Sequence, residues 1–98
     1  MSIHVVAVIT AKPGSEDAVR AGLQDLVGPT RDEDGCLSYD LSESSAAPGT
    51  FVTVEEWKDP SDLDAHMQTE HVQAALGTLG DALAAAPAIH PLTPIDVA

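Results

Sequence analysis

A single cysteine, three aromatic residues, four basic side chains and no asparagine at all are what this 98-residue chain has least of. Cys36 can form no disulfide within the chain, and no second cysteine or CxxC pair stands near it to hold zinc or exchange electrons, so cysteine usage fits a reducing cytoplasm. Against sixteen Asp and Glu, four Lys and Arg leave a formal charge of −12, which repels phosphate backbones and the anionic face of membranes. Nucleic acid and membrane are therefore poor partners, and the acidic excess reads as a solubilising surface. Long apolar runs are missing too. The opening MSIHVVAVITAKPG has no basic segment, and its apolar run is too short for a signal peptide or a membrane span, so the mature chain is expected to begin at Met1 and to work in the cytoplasm.

What is present suits one domain over residues 1–98, because 44% hydrophobic content in this length fills two packed layers. So short a chain buries roughly 60–68% of its unfolded surface, which makes a second copy covering part of it a natural expectation. Ile3 to Thr10 is apolar on both alternating faces, the mark of a strand covered on both sides. Lys12-Pro13-Gly14 ends it. Ser15 then suits an N-cap, and Val19, Leu23, Leu26 and Val27 recur at helical spacing, with Gly28-Pro29 expected to interrupt or kink the helix. Leu37, Tyr39 and Leu41 alternate with Ser38, Asp40 and Ser42 as a half-buried strand, SESSAAPGT turns the chain, and Phe51 to Trp57 returns as another strand. Asp59-Pro60 signals a helix start. The stripe Leu63, His66, Met67, Glu70 follows, and a second stripe, Val72, Leu76, Leu79, Leu83, runs to Pro87, weakened by Gly77 and Gly80. Ala88 to Leu92 reads as a last strand, confined to an edge by its prolines. The order β-α-β-β-α-β is a ferredoxin-like plait of the α+β class, with an antiparallel sheet whose bare face needs a partner. Two such sheets face to face make a dimeric α+β barrel.

AKPGSED, TRDEDGCLSYDL, PGTFVTVEEWKDPSDLDAHMQTEH and HPLTPI, taken together, resemble the antibiotic biosynthesis monooxygenase (ABM) family of the dimeric α+β barrel superfamily. The pattern E-x-W-(x)5-L-x-x-H-x-x-T-x-H carries most of the likeness. The resemblance implies a homodimeric barrel and a range of activities: cofactor-free oxygenation of quinols and polyketide aromatics, isomerisation of small phosphorylated dicarbonyls, haem degradation, or none assigned. It also implies a pocket between sheet and helices in one subunit, with Trp57, Glu55 and Thr53 on the sheet side and His66 on the helix. Members that oxygenate aromatic polyketides carry an asparagine where Thr53 stands, and haem degraders carry one on the first strand. This chain has neither, which argues against haem degradation and puts the first mechanism in question.

Each candidate has its own chemistry. His66, on the apolar stripe with Leu63 and Met67, is either a pocket acid or base titrating near neutral pH or a packed imidazole held by a backbone carbonyl or by Glu70. Glu55 either relays protons or pairs with Arg20, Arg31 or His66. Trp57 offers a wall to a flat aromatic, Tyr39 a hydroxyl at its edge, and Cys36 nothing reactive. On a continuous helix, residues five apart are rotated by about 140° net, so His66 and His71 are expected to diverge. HExxH is absent and His66 with Glu70 lacks a third ligand, so no metal is expected; with no GxGxxG loop either, the expected cofactor list is empty. The resulting expectation is a cofactor-independent monooxygenase of a quinol or polyketide-like aromatic, working as a homodimer with molecular oxygen. His66 and Glu55 are the catalytic candidates, and Trp57, Thr53, Tyr39, Leu63 and Met67 bind substrate. The alternatives are an isomerase or other proton-transfer enzyme on a small carbonyl compound, and a non-catalytic dimeric ligand-binding domain.

Overall fold

The strand Ile3–Thr10 (β1) lies inside a four-stranded sheet, paired on both edges, with Val5, Ala7 and Ile9 buried on one face and Val6 and Val8 partly open on the other. The computed structural model describes residues 2–97, and the expected start at Met1 lies outside them. After β1 come the helix Glu16–Arg31 (α1), strands Cys36–Glu43 (β2) and Thr50–Trp57 (β3), helices Pro60–Met67 (α2) and Glu70–Leu79 (α3), and the strand Ala88–Leu92 (β4). The sheet order is β2-β3-β1-β4 with every pairing antiparallel, which is the ferredoxin-like α+β plait. No helix among the described residues is long and apolar enough to cross a membrane.

Register sets what the site is made of. Val5 pairs with Glu55, Ala7 with Thr53 and Ile9 with Phe51, while Tyr39 and Leu41 of β2 meet Glu55 and Thr53 from the other side. Residues directly opposite share a face, so these side chains all point toward the helices. There Val5, Phe51 and Trp57 are almost fully buried, each stabilising the fold by roughly 1.5–3 kcal/mol if the aliphatic scale is taken as a guide. The opposite face carries Val6, Val8, Val52 and Val54, partly open, with Val54 50% exposed.

Three local expectations change. Helix α1 continues through Pro29 to Arg31. A proline this close to the end removes a single rung of the helix, its side chain is exposed, and the Asp32 N–H still reaches the Gly28 carbonyl at 3.2 Å. Leu37 is not buried: the register slips between Cys36 and Ser38, and this bulge turns Leu37 outward to 54% exposure while Cys36 takes the inward position opposite Trp57. The second helical stripe ends as an α-helix at Leu79, where Gly80–Ala82 form a 3-10 turn; Leu83 is nonetheless buried, bridging to Ala11 in extended conformation.

Candidate active site

Between the sheet's inner face and the helices lies an apolar cleft of about 70 Å³. Thr53 and Glu55 of β3 and Tyr39 of β2 form its polar side, and Leu63, His66 and Met67 of α2 close it from above. Six of the seven residues singled out in the sequence thus line one cavity. The seventh, Trp57, is fully buried and stands behind it: its ring centroid is 4.7 Å from that of His66 and its indole N–H serves Glu55.

Glu55 has none of the partners expected for it. Thr53 Oγ1 donates to its Oε2 at 2.6 Å and Trp57 Nε1 donates to its Oε1 at 2.8 Å, so two neutral donors from its own strand hold a carboxylate that is 4% exposed. The spacing explains it, because residues i−2, i and i+2 project from the same side of a strand. Arg20 is occupied with Asp17 and Glu43, and Arg31 with the Tyr39 carbonyl and Asp40. Burial first, and then the negative charge of Glu55, pushes the Tyr39 phenol far above its ordinary range, so it remains an O–H donor at every working pH. Burial, reinforced by Glu33, likewise raises the Cys36 thiol, which keeps it protonated and unreactive.

His66 is held by a residue that sequence reasoning passed over. Its Nδ1 lies 2.7 Å from Glu33 Oε2, and His71 Nε2 lies 2.8 Å from the same oxygen. The expected divergence of the two histidines fails because the helix is not continuous. Thr69 is an N-cap whose hydroxyl accepts from Val72 N–H and donates to the His66 carbonyl, so α3 restarts in a new direction and swings His71 back toward His66. Thr69-Glu70, a capping residue followed by an acid in the first turn, was the available signal. Glu33 arrives from the loop between α1 and β2. Gly35 lets that loop press against the start of α2, since a Cβ there would collide with the Asp62 side chain, and Lys58 N–H donates to the Gly35 carbonyl at 2.8 Å. One ligand atom from each of Glu33, His66 and His71 lies within 4.8 Å of the other two. His66 keeps Nε2 without a partner among the described residues, and with it the capacity to take a proton from something in the cleft.

The sequence profile of the antibiotic biosynthesis monooxygenase family matches residues 2–77. The chain belongs to that family. A Mycobacterium tuberculosis protein named provisionally as a monooxygenase is 36% identical over 98% of this chain and 94% of its own length. Its solved structure superposes with a TM-score of 0.89 at 35% identity, over 100% of this chain and 99% of the other. An Escherichia coli protein named provisionally as a quinol monooxygenase is 32% identical over 74% of this chain and 79% of its own. A Pseudomonas aeruginosa structure agrees equally well, with a TM-score of 0.89 at 33% identity over 97% of this chain and 95% of the other. For this ABM chain, family and relatives together support a monooxygenase-type function.

Proposed function

We propose that this protein is a cofactor-independent monooxygenase of a quinol or polyketide-like aromatic, with His66 as the base. The observation that carries the reading is the pairing of His66 Nδ1 with Glu33, which orients the ring and leaves Nε2 free on a residue that borders an apolar cleft. Deprotonated by Nε2, an electron-rich hydroxyarene passes an electron to O₂ itself, and the two radicals combine at carbon. One oxygen atom stays on the ring, the other leaves as water, and the quinol supplies all four electrons, so the protein contributes a dry pocket and a proton acceptor. Tyr39, kept protonated, and the Thr53–Glu55 pair supply the polar edge that orients the substrate. Pockets for aromatic ligands run to roughly 300 Å³ or more. The cleft must therefore widen on binding, and Leu76 and Ile89, 36% and 37% exposed and both bordering it, are the groups free to part.

Isomerisation of a phosphorylated carbonyl compound is less well supported. No Lys or Arg is among the residues that line the cleft, and both arginines are paired with carboxylates. The same reading takes the 98 residues as one domain and the active form as a homodimer joined through the sheet's open face, where Val6, Val8, Val52 and Val54 lie.

Oxygen uptake with a panel of quinols and anthrones tests the activity, and His66→Ala tests the assignment. If His66 is the base, turnover falls by about 10²–10⁴-fold while the fold persists, anchored by Leu63 and Met67. A variant that melts earlier but turns over normally per folded molecule removes His66 from the chemistry, and a panel with no turnover favours the non-catalytic ligand-binding domain.

A further inference from the structure

We propose that Glu33, His66 and His71 form a binding site for a divalent first-row transition metal, zinc foremost. Two of the chain's four histidines converge on one carboxylate oxygen from three separate elements: the loop after α1, α2 and α3. The donor set of two imidazole nitrogens and one carboxylate oxygen is borderline in softness and suits zinc, cobalt, nickel or iron(II); calcium and magnesium take oxygen ligands instead.

The geometry needs a small adjustment. Ligand atoms at about 2.0–2.2 Å from a tetrahedral ion stand about 3.3–3.6 Å apart. The two nitrogen–oxygen separations of 2.7 and 2.8 Å must therefore open by about 0.5–0.9 Å. His71 has room for this, its side chain being 26% exposed, and the Glu33 side chain is 15% exposed, so an ion can enter from solvent. Charge favours it as well: Asp32, Asp34 and Glu70 adjoin the ligands in sequence, in a chain of net charge −12.

Loading would fix the tautomer of both rings, because a nitrogen that binds metal carries no hydrogen. In the metal-free protein the histidine nitrogens facing Glu33 carry the hydrogens; with metal on Nδ1 of His66 and Nε2 of His71, each neutral ring carries its hydrogen on the opposite nitrogen. His66 Nε2 then becomes a donor and can no longer accept a proton, so the ion acts as an off switch for the base. That last consequence rests on the proposed role of His66, whereas the binding itself does not.

The experiment is a titration of EDTA-stripped protein with Zn²⁺, read by calorimetry and melting temperature, and with Co²⁺, read by its visible absorption. One ion per chain, a melting temperature that rises with Zn²⁺, and tetrahedral Co²⁺ bands are expected in the wild type. All three are expected to vanish in His71→Ala and in Glu33→Gln, whose folding is checked by circular dichroism. Absence of binding in the wild type overturns the proposal. So does binding that survives in a folded variant, because the ion would then sit on other groups such as His4 or His90. Should one variant fail to fold, the other decides by the same three readings. The quinol assay stays outside this test, so loss of the oxygenase reading leaves its outcome standing.

Discussion

Glu55 lines the cleft and Glu33 lies outside its lining, bonded to His66, and their surroundings give the two carboxylates opposite uses. Glu55 is closed on itself, each oxygen taking a hydrogen from a neighbour two residues away on β3. Glu33 reaches across 33 residues of sequence to His66 and 38 to His71. The first arrangement makes Glu55 sensitive to loss of a donor. Trp57→Phe keeps an aromatic ring against His66 but deletes the indole N–H, which leaves Glu55 Oε1 unpaired in a position 4% exposed. An orphaned buried acceptor costs about 1–3 kcal/mol, before any loss from the smaller ring. Chemical denaturation should show a midpoint lowered accordingly; a midpoint equal to wild type would mean that the Trp57–Glu55 bond contributes nothing.

At the scale of elements, the β2–β3 hairpin is tied at its turn by Glu43. Its carboxylate accepts from the Gly49 N–H at 3.0 Å and from Arg20 of α1, and those two bonds, the backbone one first, hold it below the usual carboxylate range. Gly49 allows this contact because the turn needs φ of 88° there. A carboxyl with a lowered folded-state value contributes stability that is present above its unfolded value, near 4.3, and is lost as pH falls through the folded value. Glu43→Gln should therefore melt below wild type at pH 7, with the gap closing as pH drops from about 5 toward 3. A gap independent of pH would show that Glu43 acts through packing and not through its charge. Arg20 also lies 5.5 Å over the Phe51 ring, so the same ion pair anchors α1 to the sheet.

For the whole molecule, the open sheet face decides assembly. Val6, Val8, Val52 and Val54 form a contiguous apolar row across β1 and β3, paired Val6 with Val54 and Val8 with Val52. With Val54 50% exposed, one face of the two central strands is left to water unless a second copy covers it. The expected assembly is a homodimer of 10.1 kDa chains burying over about 2,000 Å² in total, the size of a permanent interface. Light scattering at micromolar concentration should give twice the chain mass, and Val54→Asp, placing facing carboxylates in that interface, should shift the species toward monomer. A wild-type monomer would instead leave that face as free surface.

The local parts of this protein were legible from its residues. Alternation placed Thr53, Glu55 and Trp57 on one face of β3 and Tyr39 with Leu41 on one face of β2, the 3.6-residue period put His66 beside Leu63 and Met67, and Asp59-Pro60 marked the start of α2, because strand and helix periods are properties of neighbouring residues. The likeness to the ABM family came from the same local patterns. What tertiary structure alone decided is each feature that depends on distant segments meeting. The slip at Leu37 is set by pairing with β3, which no pattern within β2 encodes. Helix α1 runs through Pro29 to Arg31, and its last turn carries Thr30 into a buried position that no pattern within the helix foretold. The bond from Glu33 to His66 exists because Gly35 lets one loop approach α2, and the convergence with His71 because Thr69 restarts a helix. Spacing along a chain specifies direction within an element, whereas the meeting of two elements follows from how their surfaces pack.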